Sequence, residues 1–92
     1  MPRFIIELPH GGDRSVCIRA VLAIERYGSH LLTNAEWGCK AGVHCGWAIV
    51  EVDSRQEAIQ LVPPEARQNA VIVELNTFTR EEMASWVAHP EG

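Results

Sequence analysis

Four short segments of the chain are rich in apolar residues, and apolar residues recur with helical spacing along three others. A short apolar run bounded by turn residues predicts a strand, whereas apolar residues three and four positions apart predict an amphipathic helix. The predicted strands span residues 3–9, 29–37, 45–53 and 70–78. Asp13 or Ser15 can cap the first helix, whose apolar positions are Val16, Cys17, Ala20, Val21 and Ile24.

The other two helices begin at capping boxes, in which a Ser or Thr and a Glu three residues later satisfy each other's free backbone donors. The boxes pair Ser54 with Glu57 and Thr79 with Glu82. The order is therefore β-α-β-β-α-β with an extra C-terminal helix, and 92 residues suit a single domain, 1–92. The predicted fold class is α+β, ferredoxin-like, with a four-stranded antiparallel sheet in the order 4-1-3-2 and both internal helices on one face.

Alternation assigns side chains to the two faces of the sheet. The face predicted to lie under the helices is wholly apolar and comprises Phe4, Ile6, Leu8, Ala48, Val50, Val52, Val71, Val73 and Leu75. The other face mixes large apolar groups with carboxylates and comprises Ile5, Glu7, Trp47, Ile49, Glu51, Ile72, Glu74 and Phe78. A face this apolar is unfavourable in contact with water, so we expect a homodimer through the open sheet face.

Charge and composition exclude several classes of partner. The formal net charge is −4, and no cluster of Lys and Arg stands out, which argues against nucleic acid and against an anionic membrane surface. No apolar stretch has the length of a membrane span. Three cysteines make an odd count, which favours a reducing compartment over a disulfide framework. The expected location is cytoplasmic.

Soft metal ligands are concentrated at the turn between the second and third strands. Cys39, His44 and Cys45 lie there, and antiparallel pairing of strands 1 and 3 brings His10 to the same edge of the sheet. Thiolate and imidazole are the usual ligands of zinc and related metals. These four residues are the predicted site for zinc, nickel, copper or iron. Two other interpretations stay open: a structural turn with a small buried thiol, and redox chemistry of the Cys39/Cys45 pair.

A second set of candidates lies on the open face. His30 opens the second predicted strand and can approach Glu51, and a histidine beside a carboxylate is suited to proton transfer. Glu7 and Glu74 are further carboxylates that a dimer would partly bury, which raises the pKa of such groups. The competing interpretation is that His30 bonds a backbone carbonyl and that the glutamates are solvated. Cys17 is assigned to packing within the first helix.

The element order, the size and the half-apolar second face resemble the dimeric α+β barrel superfamily. That superfamily includes muconolactone isomerases, small monooxygenases, stress-response dimers and a nickel-binding protein. Residues 28–53, from Gly28-Ser29-His30 through Trp37-Gly38-Cys39 to Trp47-Ala48-Ile49, also resemble short uncharacterised bacterial proteins of this type. The resemblance implies a fold and a dimer, and it leaves the chemistry open because the fold hosts unrelated functions.

Three functions follow as hypotheses. The first is a small homodimer that binds a transition metal. The second is a cofactor-free isomerase or monooxygenase that takes a small-molecule ligand on the open face, with His30 and Glu51 moving protons. The third is a non-catalytic dimer that acts through protein partners.

Overall fold

A computed structural model describes residues 1–32 and 34–88 of the chain. The strands are β1 (Arg3–Pro9), β2 (Glu36–Trp37), β3 (Cys45–Glu51) and β4 (Val71–Leu75). The helices are α1 (Arg14–Tyr27), α2 (Arg55–Gln60), α3 (Pro64–Arg67) and α4 (Arg80–Ala88). Two short 3₁₀ turns, His30–Leu32 and Cys39–Ala41, flank β2.

The four strands form one antiparallel sheet in the order β2-β3-β1-β4, which confirms the predicted 4-1-3-2 arrangement and the α+β class. Along β1 and β3 the register runs from Arg3 opposite Glu51 to Pro9 opposite Cys45. The Thr79–Glu82 capping box is confirmed in both directions, since the Glu82 N–H donates to the Thr79 hydroxyl oxygen at 3.1 Å and the Thr79 N–H donates to the Glu82 carboxylate at 3.3 Å. The Ser54 hydroxyl oxygen accepts from the Glu57 N–H at 3.1 Å as predicted, but the Glu57 carboxylate accepts from the Asp53 N–H at 3.0 Å instead of from Ser54.

The core lies on the predicted helix side of β1 and β3. Phe4, Ile6 and Leu8 are buried there together with Ala48 and Val50. The helices and turns add further buried apolar side chains, namely Ile24, Leu32, Ala58 and Val62. Burial of an aliphatic side chain contributes about 1.5–3 kcal/mol to the free energy of unfolding. This apolar layer is therefore the main contact that stabilises the packing of the helices on the sheet.

The predicted faces of β4 are wrong by one residue. Ile72 lies opposite Ile6 and is buried, and Glu74 lies opposite Phe4, so both belong to the helix side. Directly opposed residues of an antiparallel pair share a face, which places Val71, Val73 and Leu75 on the open side. Glu74 is therefore not an open-face carboxylate, whereas Glu7 lies on that face.

The second strand is much shorter than predicted. Instead of a strand over residues 29–37, the chain forms the 3₁₀ turn His30–Leu32 and pairs only at Glu36–Trp37. The reason is a local anchor: the Ser29 N–H donates to the Leu61 carbonyl, and the turn buries Leu32 in the core. Thr33, within the predicted strand, lies outside the described residues.

None of the helices in the described ranges is both long enough and apolar enough to cross a membrane.

Candidate metal centre

The candidate centre lies at the end of the β1–β3 pair. His10 directly follows β1 and His44 directly precedes β3, and the His10 N–H donates to the His44 carbonyl at 3.1 Å. This bond extends the ladder one pair beyond Pro9 and Cys45. Two residues that are distant in the sequence are thus fixed side by side by backbone pairing alone.

Two cysteines complete the group. Cys39 begins the 3₁₀ turn between β2 and β3, and Cys17 lies in the first turns of α1. One ligand atom from each of His10, Cys17, Cys39 and His44 lies within 4.8 Å of every other, and all four residues are half-buried. In a tetrahedral zinc site, bond lengths of about 2.0–2.3 Å separate the ligand atoms by about 3.3–3.8 Å. At its largest separation, the group is therefore about 1 Å wider than a tetrahedral zinc site requires.

Hydrogen bonding orients the His10 ring for coordination. Nδ1 lies 3.2 Å from the Leu8 carbonyl oxygen, and Nε2 lies 3.2 Å from the Cys39 Sγ. Because a carbonyl only accepts, Nδ1 carries the proton and the lone pair of Nε2 faces the cluster. Protein histidines that bind metals commonly have this arrangement, with the remote N–H held by a carbonyl or carboxylate.

His44 holds a buried nitrogen that lacks a partner. Its Nδ1 is buried and makes no hydrogen bond to any described residue. Leaving such a group unsatisfied costs about 1–3 kcal/mol, so it calls for a partner. A metal ion between His44 and the neighbouring His10 ring, whose centroid is 5.9 Å away, would supply one.

The two thiols of the cluster share a hydrogen bond. A hydrogen bond with Cys39 is the main cause that raises the pKa of Cys17, and burial adds to it. The Arg14 guanidinium acts in the opposite direction. Arg14 and Lys40 also line the groove that contains Cys17 and Cys39, so positive charge is available to favour thiolates.

The turn that carries Cys39 and His44 is rigid. The Gly38 carbonyl accepts from the N–H groups of Ala41 and Val43, both at 2.9 Å, and the Gly38 N–H donates to the Cys45 carbonyl. Gly42 ends the turn at a φ of 85°, which favours glycine because other residues are strained there. This bonding fixes the backbone between the two ligands before any metal arrives.

Cys45 is not part of the group. It lies opposite Pro9 in the ladder, and its Sγ is 3.4 Å from the Gly46 carbonyl oxygen. Successive residues of a strand point to opposite faces, so Cys45 and His44 cannot both reach the helix side. Burial, the largest effect, raises the pKa of the Cys45 thiol.

Cys17, which the sequence assigned to packing, takes the place of Cys45. The sequence correctly placed Cys17 on the apolar side of α1. Near the start of the helix, however, that side faces the connection between β2 and β3 instead of the sheet. A single sequence gives little sign of this, because a cysteine at core spacing looks the same in either setting.

The remaining candidates lie elsewhere. His30 is exposed in the 3₁₀ turn His30–Leu32, and Glu51 is the exposed last residue of β3 opposite Arg3. Glu7 is half-buried on the open face, between Trp47 and Val71 on the neighbouring strands. Proton transfer between His30 and Glu51 stays a prediction.

Zinc is expected to protect Cys17 and Cys39 from alkylation by N-ethylmaleimide while leaving Cys45 unprotected. Coordination occupies the sulfur atoms of the first two, whereas Cys45 lies outside the cluster and its labelling rate is the same with and without metal. Peptide mass spectrometry after timed labelling gives the rate at each cysteine. Protection of Cys45 without protection of Cys17 would contradict the geometry and restore the ligand set predicted from the sequence.

The chain was also compared with known proteins. No family model matches it, and neither a curated protein nor a solved structure shows significant similarity to it. The chain has a small α+β fold with a four-stranded antiparallel sheet, and one end of that sheet carries a His/Cys cluster that could hold a metal ion.

Proposed function

We propose that the protein binds one transition-metal ion per chain through His10, Cys17, Cys39 and His44. The observation that carries this proposal is the convergence of four ligand atoms within 4.8 Å from four separate segments of the chain. The oriented Nε2 of His10 supports it, because its lone pair faces the cluster. The buried Nδ1 of His44 makes no hydrogen bond to the described residues, and we assign it as the ligand atom of that ring.

Zinc fits this donor set best. Two thiolates and two imidazoles are a common tetrahedral zinc set, and softer thiolate ligands also admit copper(I), iron or nickel. Four protein ligands leave no open position for a substrate or an activated water. The function that follows is metal binding for structure or for exchange with other carriers, and the half-buried ligands leave the ion accessible from one side.

Titration of metal-free protein with cobalt(II), a spectroscopic substitute for zinc, tests the proposal. We expect one equivalent per chain, a tetrahedral ligand-field spectrum and thiolate charge-transfer absorption, all abolished when zinc is added. Binding without charge-transfer absorption, or with no saturation near one equivalent, would count against a Cys/His centre. The Cys45→Ser variant is the matched control, since its thiol lies on the opposite face.

Zinc affinity is expected to fall as the pH falls. Cys17 has a raised pKa, so it is protonated in the metal-free protein at neutral pH, and binding must expel its proton. Each pH unit below the Cys17 pKa then weakens apparent binding about tenfold for every proton released. Competition against a chelator of known affinity between about pH 6.5 and pH 8.5 measures the slope. An affinity that does not change over this range would show that no thiol proton is displaced.

A further inference from the structure

The last part of the described chain forms a projecting arm, which we define as residues 76–88. It contains α4, whose described residues are all exposed, and its capping box shows that the helix is well formed locally. The radius of gyration is 16.5 Å, and the longest extent is 53 Å. A compact chain of this length has a radius of gyration of about 12 Å, so the arm extends away from the body.

The arm carries a cluster of large apolar side chains. Phe78 is 59% exposed, Trp86 46% and Val87 86%, and Met83 adds to the same side of the helix. The Phe78 and Trp86 rings pack edge to face with centroids 4.8 Å apart. A short helix gains most of its stability from packing its apolar side, and nothing in the described part of this chain covers that side.

A second uncovered apolar surface lies on the open sheet face. Ile49 is 58% exposed at its centre, and Val71 and Val73 are exposed on β4. Ile5 and Trp47 are half-buried beside them. The correction to the faces of β4 makes this surface more apolar than the sequence predicted, because Val71, Val73 and Leu75 take the places of Ile72 and Glu74 there.

We propose that the arm of one copy of the chain packs on the open sheet face of a second copy, and that the exchange is reciprocal in a twofold dimer. From the exposed fractions of the apolar side chains on the arm and the face, one complete contact covers at most roughly 700 Å² and two cover at most roughly 1,400 Å². Stable interfaces bury about 1,200–2,000 Å², so this upper bound falls within the range of a stable dimer. This pairing does not use the metal centre, whose ligands lie at the His10–His44 end of the β1–β3 pair and on the helix side of the sheet.

Two single substitutions test the contribution of each surface to dimerisation separately. Trp86→Glu places a charge on the arm, and Ile49→Glu places one on the face. Each is expected to weaken dimerisation by roughly 100-fold or more, because each disrupts both contacts of the twofold pair. Ser85→Glu adds the same charge to the opposite side of α4 and is expected to leave the dimer intact. Sedimentation velocity over a range of protein concentrations measures the association.

Mixing the two disrupted variants gives the decisive result. In a mixed pair, the intact arm of the Ile49→Glu chain meets the intact face of the Trp86→Glu chain, so one of the two contacts is restored. We expect the mixture to associate more tightly than either variant alone. Two monomeric variants that do not rescue each other would overturn the exchange in favour of direct contact between sheets. A wild-type chain that is monomeric at all concentrations would overturn the proposal outright. Unchanged circular dichroism and zinc binding show that each variant is folded.

Discussion

Replacing Cys39 by serine is expected to lower zinc affinity by at least about 100-fold. Cys39 is central to the cluster, because its Sγ contacts the His10 Nε2 and pairs with Cys17. A serine hydroxyl keeps the shape but does not ionise at neutral pH, so one of four ligands is lost. Even residues that only orient a ligand contribute roughly 10–100-fold to metal affinity, and a direct ligand contributes more. Competitive zinc titration measures the change.

Cys45→Ser is the matched control for this substitution. It makes the same chemical change one residue from His44, and its side chain lies on the other side of the sheet. Its zinc affinity is expected to equal that of the unaltered protein. Equal losses in the two variants, or a loss confined to Cys45→Ser, would contradict the assignment of Cys17 as the fourth ligand.

Zinc is expected to stabilise the fold strongly. The four ligands join the end of β1, the start of α1, the β2–β3 connection and the start of β3, so the ion ties together segments that separate on unfolding. At a free zinc concentration 100 times the dissociation constant, linkage adds about 2.7 kcal/mol to the free energy of unfolding. For a domain of this size, that raises the midpoint of thermal unfolding by roughly 10–20 °C.

Thermal unfolding followed by circular dichroism, with zinc and with excess chelator, measures this shift. The shift should disappear in Cys17→Ala, whose metal-free stability provides the baseline for the lost packing. Unfolded chains also bind zinc through free cysteines, which reduces the shift but does not reverse it. An equal midpoint with and without zinc in the unaltered protein would place the ion outside the folded structure.

The sheet order could be predicted from the sequence because the element order β-α-β-β-α-β has a usual solution with strands 1 and 3 at the centre of the sheet. Within strand 1, the polar Glu7 places Phe4, Ile6 and Leu8 on the opposite face, and their burial followed that pattern. In β4, Val71-Ile72-Val73 is apolar at every position, so alternation carries no information about which side faces the core. In β4, the pairing register with β1 determines which residues face the core, and it places Ile72 opposite Ile6.

The candidate site was only partly predictable. Antiparallel pairing of strands 1 and 3 is enough to bring His10 to the turn that carries Cys39 and His44. Alternation excludes the joint use of His44 and Cys45, which are adjacent at the start of a strand. The position of Cys17 depends on how α1 packs across the end of the hairpin, a tertiary contact that helical periodicity does not encode.

X-ray absorption at the zinc edge of the zinc-loaded protein tests the central claim most directly, because it counts the ligand atoms by element. Coordination by Cys17, Cys39, His10 and His44 predicts two sulfur atoms at about 2.3 Å and two imidazole nitrogens at about 2.0–2.1 Å. A shell of oxygen and nitrogen alone, or one containing three sulfurs, would contradict it.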